Sequence, residues 1–183
     1  MTKFSNLKIS LLVIAILALP AAQAATVSKD DYAAGKTRIS AAYKADKSAC
    51  SSMKSNAKDI CVEEAKAKEK VARAELEYSY TGKPDDQTKL REVKAKTAYA
   101  VAKEKCDDRS GNDKDVCRKE AKAVETKALV DAKMAKDVAE TRKDGAQDKK
   151  DADYKVAVEK CDALTGDAKA SCITSAKAKF GKS

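Results

Sequence analysis

Every cysteine in this chain stands in one frame: Cys50 and Cys61, Cys106 and Cys117, and Cys161 and Cys172 are each separated by ten intervening residues. The frame sits inside a longer repeat. Residues 43–67, 99–123 and 154–178 align without gaps, and all three share the opening tyrosine (Tyr43, Tyr99, Tyr154), both cysteines, a lysine between them and a closing Ala-Lys-Ala. Recurrence at a near-constant period marks one supersecondary unit used three times.

The spacing allows two geometries. A helix running straight from one cysteine to the next would hold their sulfurs about 16 Å apart at 1.5 Å per residue, too far for a bond. A bend between them lets the sulfurs meet across an antiparallel hairpin. The intervening residues favour the bend: Ser55-Asn56, Gly111-Asn112 and Gly166-Asp167 have the chemistry of a helix end followed by a helix start. Glycine suits a left-handed residue closing the first helix, Asn or Asp an N-cap opening the second, and Asp59 and Asp115 then fall in the first turn as acidic complements to the dipole. Six cysteines formally permit 15 pairings. Threefold repetition of one spacing selects Cys50–Cys61, Cys106–Cys117 and Cys161–Cys172, each worth roughly 2–3 kcal/mol as a short closed loop.

Such staples answer a specific weakness. Large apolar side chains are scarce and most of the hydrophobic fraction is alanine, which favours helices but buries little surface. The expected fold is all-α: three disulfide-stapled antiparallel helical hairpins in an elongated bundle or jointed rod. Helices are expected over 57–80, 86–109 and 113–143. Thr81 to Asp86 form the clearest loop, Asp144-Gly145 interrupts the path to the third repeat, and the last helix stops at Phe180-Gly181. Cys117, Ala121, Val124, Ala128, Ala132, Ala135 and Ala139 trace one helix face and form the expected packing seam. Each repeated tyrosine is expected as a wedge inside its hairpin.

The first residues read as an export signal. Lys3 and Lys8 precede an apolar run from Ile9 to Leu19, Pro20 breaks it, and Ala22-Gln23-Ala24 has the small-x-small cleavage pattern. The run is shorter than the roughly 20 residues of a membrane span. The units are then a signal peptide over 1–24 and hairpin repeats over 25–85, 86–144 and 145–183, in a periplasmic protein with no membrane span in its mature part. Loss of 1–24 removes two lysines from a chain with 38 basic and 29 acidic residues, leaving +7.

The residue inventory narrows the chemistry. Without histidine there is no Ser-His-Asp or Cys-His catalysis, and ten-residue cysteine spacing does not make a zinc knuckle. No C-x-x-C redox pair is present. Asp108, Ser110 and Asn112 begin like a calcium loop, but Asp113 and Lys119 stand where glycine and glutamate are needed. Asp85-Asp86 reads as a helix N-terminus. No enzyme, cofactor, metal or nucleic-acid partner is expected. The lysine repeated between the cysteines (Lys58, Lys114, Lys169) is the candidate anion-binding set, for lipid headgroups or lipopolysaccharide.

The pattern Tyr-x-x-Ala-x-x-x-Cys, then Gly-Asn-Ala-Lys-Asp, then Cys-x-x-x-Ala-Lys-Ala resembles a family of uncharacterised exported proteins of Gram-negative bacteria. The closest copies of its last two parts here are Ser55 to Ala67 and Gly111 to Ala123. Proteins of that kind often carry the label "cell envelope biogenesis protein TolA", on the strength of Ala/Lys/Glu-rich helices shared with the TolA stalk. This chain departs from TolA in its cleavable-type signal, its paired cysteines and the lack of an evident C-terminal globular domain. The resemblance implies periplasmic residence. The functional expectation is a non-catalytic structural or interaction protein of the cell envelope, partnered by an envelope protein. Binding of anionic envelope components is the alternative, and thiol redox activity a third reading.

Overall fold

A computed structural model describes residues 27–182; the expected export signal over 1–24 lies outside them. Among the described residues five helices follow one another: α1 (Lys29–Ala49), α2 (Ser55–Thr81), α3 (Pro84–Cys106), α4 (Gly111–Cys161) and α5 (Gly166–Phe180). A single 3-10 turn, Cys50–Ser52, joins α1 to the first bend.

Each helix packs only on its neighbours in sequence: α1 on α2, α2 on α3, α3 on α4, and α4 on α5. The first four therefore form one antiparallel layer, with no helix laid across it among the described residues. Such a layer encloses little, and the residues show it. Among the described residues, every buried apolar side chain is an alanine or a cysteine: Ala65, Ala95, Ala132, Ala176, Cys50, Cys106 and Cys161.

The three disulfides are those the repeat predicts. Cys50–Cys61, Cys106–Cys117 and Cys161–Cys172 each join residues whose Cα atoms lie 5.7 Å apart. The first sulfur of every pair is the more deeply placed, with Cys50, Cys106 and Cys161 at most 1% exposed. In place of a hydrophobic core, the molecule has three buried cross-links at its bends. Their presence within one chain indicates an oxidising compartment.

The bends differ from the sequence expectation in one respect. Gly111 and Gly166 do adopt left-handed backbone (φ 52° and 58°), but they open the second helix of the hairpin and do not close the first. The first helix has already stopped at Cys106 or Cys161, and an extended residue, Ser110 or Thr165, precedes the glycine. Consequently Asn112 is no N-cap, and Asp59 and Asp115 lie beyond the first turn, where Asp113 stands in α4 and no acid stands in α2. Ser55 takes the same left-handed backbone (φ 51°) in the first copy.

Helix α4 is the larger correction. It runs unbroken for 51 residues, through Asp144-Gly145, so the boundary drawn at 144/145 falls inside a helix shared by the second and third hairpins. A lone glycine costs a helix about 1 kcal/mol and does not by itself stop one. The loop at Thr81 to Asp86 is likewise tighter than expected. Gly82, left-handed at φ 62°, caps α2, and Pro84 already occupies the first position of α3, with Asp85 and Asp86 in its first turn.

The α3/α4 seam follows most of the expected stripe, with Ala121, Ala128, Ala132 and Ala135 partly or fully buried along it, and departs from it at Val124. Ala132 is 2% exposed, but Val124 is 65% exposed and Glu125 takes the inside position at 7%. The facing α3 surface brings Ala95, Ala98 and Ala102 together with Tyr99.

The same side of α4 serves both of its partners. Glu125, buried against α3, and Cys161, buried against α5, are 36 residues apart, ten whole turns at about 3.6 residues per turn. Hairpins two and three thus hang from one face of a common rod. Their stapled ends are separated by about 66 Å along it.

Candidate functional site

The turn lysines meet partners within their own hairpins. Lys114 Nζ lies 3.2 Å from Asp107 Oδ1, and Lys169 Nζ lies 2.9 Å from Asp162 Oδ1. Both acids directly follow the first cysteine of their copy, so the pair closes the bend alongside the disulfide. Asp107 also receives Arg118 Nη2 at 2.6 Å. Burial pushes the Asp107 carboxyl up, but hydrogen bonds from Lys114 and Arg118 outweigh it and hold the group below the usual carboxylate range. In the first copy Ser51 replaces the acid, and Lys58 makes no ion pair among the described residues. The three candidate anion-binding lysines are thus spread over separate bends, and two of them are already neutralised.

Two of the three repeated tyrosines, Tyr99 and Tyr154, carry cations over their rings. Tyr99 carries the Lys122 ammonium 5.0 Å from its ring centre, and that ammonium reaches the buried Glu125 at 2.6 Å. Tyr154 meets Phe180 edge-on at 6.0 Å and is approached by Lys182, whose ammonium bonds Asp151 at 2.6 Å. The third hairpin is latched at its open end by this cluster. The hydrogen bond from Lys182 holds the Asp151 carboxyl below its ordinary range against the opposing effect of burial.

The first two bends touch each other. Asn56 Nδ2 donates to the Glu104 carbonyl oxygen at 3.0 Å and to Asp108 Oδ1 at 2.7 Å, placing the first bend beside the second at one end of the layer. Asp85 and Asp86 are divided between partners: Asp85 accepts Lys136 from α4 at 3.0 Å, and Asp86 accepts the Thr81 hydroxyl at 2.6 Å. No group of three or more acidic or sulfur side chains suited to a metal occurs among the described residues. Among those residues no helix is long and apolar enough to cross a membrane.

Several concavities open on the layer, and two of them differ sharply in lining. The larger, about 750 Å³, is an alanine-floored groove between α3 and α4, bordered by Ala98, Ala102, Ala128 and Val124. Its charged lining is balanced, with Arg91 and Lys94 against Glu125 and Asp131. The smaller, about 350 Å³, lies over α2 between α1 and α3. Its apolar floor comes from Ala74, Leu76 and Val93, with Tyr32 stacked 4.4 Å from Tyr80 at one side. Four cations from three helices border it: Lys36, Lys70, Arg73 and Lys89. Sequence reading missed this cluster because its members are 53 residues apart at the extremes and share no motif. Only the antiparallel layer brings them together.

Comparison with known protein families, with curated proteins and with solved structures found no match.

Proposed function

We propose that the protein is an exported, non-catalytic scaffold of the periplasm, a structural or interaction protein serving the cell envelope. The observation that carries this reading is the shared helix α4, a rod of about 75 Å that holds two disulfide-locked bends far apart along one face. A chain that stabilises its bends covalently and spends its longest helix on separation is suited to spacing contacts. It supports an extracytoplasmic location that the bridges require oxidation, and the N-terminal pattern of Lys3, Lys8, Ile9–Leu19 and Ala22-Gln23-Ala24 supports entry to the periplasm by a cleaved signal.

Crosslinking in intact cells tests the scaffold. Covalent adducts with envelope proteins are the expected result, and their yield should fall when α4 is interrupted. A monomer recovered without adducts at any crosslinker length overturns the reading. The alternative, binding of anionic envelope components through Lys58, Lys114 and Lys169, loses ground because Asp107 and Asp162 occupy two of the three.

A further inference from the structure

We infer that the pocket over α2 is a binding site for a small anionic amphiphile, a phosphate or carboxylate group carried on an alkyl or aryl body. This goes beyond the scaffold reading and does not depend on it.

The cations at this pocket are less fully paired than those of the neighbouring concavity on the layer. The three lysines of the neighbouring concavity between α2 and α3 are each answered by an acid: Lys94 by Glu75, Lys105 by Glu64 and Lys68 by Asp46. Around this pocket Lys36, Lys70 and Lys89 make no ion pair among the described residues. Arg73 is bonded to Glu69 at 2.8 Å and to the Ser40 hydroxyl at 2.9 Å, which fixes its guanidinium in place.

The two acids in the lining are engaged by neutral donors. Glu77 accepts the Tyr32 hydroxyl, and Asp86 accepts Thr81. Four cations against two acids leave the lining at +2. The bond to Glu77 also raises the Tyr32 hydroxyl above its ordinary range, so this ring stays neutral as part of the wall.

The floor sets the rest of the ligand. Ala74, Leu76, Val93 and the Tyr32 ring offer apolar surface beneath the cations, and a volume of about 350 Å³ is at the small end of known ligand sites. A bare anion would leave that floor wet, and a neutral alkane would leave the cations unanswered. A molecule with both parts satisfies both. The balanced lining of the larger alanine groove gives it no comparable preference.

The test uses octyl phosphate below its micellar concentration, with inorganic phosphate and octanol as the two halves of that probe, read by calorimetry and by NMR shifts on the oxidised protein. Saturable octyl phosphate binding with shifts at Tyr32, Ala74 and Val93 is expected, with each half-probe weaker by about tenfold or more. Lys70→Glu with Lys89→Glu should weaken binding about tenfold or more, since charge-assisted contacts are lost and repulsion is gained. Lys70→Gln with Lys89→Gln should weaken it less. Lys114→Gln with Lys169→Gln should leave it within about twofold of the parent, so the bends serve as the control.

Vesicles of phosphatidylglycerol and of phosphatidylcholine separate the sources. Association with the former alone marks a lipid taken at a membrane surface, and octyl phosphate binding without vesicle association marks a dissolved amphiphile. Equal affinity for inorganic phosphate, parental affinity in both α2/α3 lysine variants, or shifts confined to the α3/α4 groove would each overturn the assignment.

Discussion

Gly35 of α1 lies directly against Leu76 of α2: a β-carbon on Gly35 would stand 2.8 Å from Leu76 Cδ2 and 2.9 Å from Cδ1. The buried apolar side chains among the described residues are alanines and cysteines, and here a half-buried leucine fits against a helix because the facing residue has no side chain. Gly35 is the one buried residue of α1 itself. Its missing side chain is the socket that seats Leu76.

Two effects of opposite sign therefore meet in Gly35→Ala. Removing a helical glycine stabilises by up to about 1 kcal/mol, and overpacking costs about 1–3 kcal/mol. With Leu76 present, the expected net is a destabilisation of about 1 kcal/mol by urea unfolding. In a Leu76→Ala background the same change should become stabilising by about 1 kcal/mol, because only the helix effect remains. The reversal of sign is the measurement, and an equal effect in both backgrounds would show that the two residues are not coupled.

The three bends supply their own control for backbone strain. Gly111 and Gly166 occupy the left-handed position at no steric cost, but Ser55 holds it with a β-carbon at φ 51°. Ser55→Gly is expected to stabilise the protein by about 1 kcal/mol, and Gly111→Ala to destabilise it by a similar amount. Open space around Gly111 means that only φ is being tested there. Thermal melts of the two variants should move in opposite directions.

These bends also show how far the sequence could be read. Cysteine spacing and turn residues were enough for the hairpins and all three bridges, because a covalent link and a reversed chain leave few alternatives. Where Gly111 sits relative to the helix was not legible, since left-handed glycine serves a helix's end and, as here, the start of the next. Period alone places Val124 on the seam, where it is in fact exposed. The burial of Glu125 goes with the α3 face that carries Tyr99 and with Lys122, which pairs with it, and neither follows from the stripe. The cationic pocket left no sequence signal, because Lys36, Lys70, Arg73 and Lys89 look like every other solvated lysine or arginine until three helices align them.

Acid should loosen the second bend more than the first. The Asp107 carboxyl is held below its unfolded value of about 3.8, so the folded protein binds fewer protons there than the unfolded one. Its contribution is complete above that value and is lost as pH falls through the lower folded value. Amide exchange near Cys106 and Cys117 is therefore expected to accelerate below about pH 4, and Asp107→Asn should remove that step. The first bend, with Ser51 in place of the acid, should not show it.

Reduction of the disulfides should release α5 before the rest. This helix has 15 residues and packs on α4 alone, and an isolated helix of that length is marginal in water. Cys161→Ala with Cys172→Ala removes roughly 2–3 kcal/mol of loop closure from an element with little else to hold it. Hydrogen exchange should rise across 166–180 and stay near the parental level in α2 and α3, each of which packs on two neighbours. Peptide mapping of the unreduced parent should return only bonds within a copy.

The segment of α4 around Gly145 carries the scaffold reading. Lys143 still lines a cavity with the start of α3, and Lys150 Nζ lies 3.3 Å from where a β-carbon on Gly181 would stand, so Asp144 to Lys149 bridge the two packed parts of α4. Thr141 to Lys149 are polar or small, and all but Gly145 are exposed. Continuity there depends on the helix alone. Nothing lies within 4 Å of a β-carbon built on Gly145, so Gly145→Ala should stabilise this stretch by about 1 kcal/mol and slow its proteolysis. Gly145→Pro removes a helical hydrogen bond and costs about 3 kcal/mol, which should uncouple the third hairpin from the layer. All three disulfides should still form in that variant, because each closes within its own bend. Small-angle scattering would then report a broader distance distribution with unchanged bridges. If the proline variant keeps both the parental distribution and the parental yield of cellular crosslinks, then separation by a rigid α4 is not what the protein contributes.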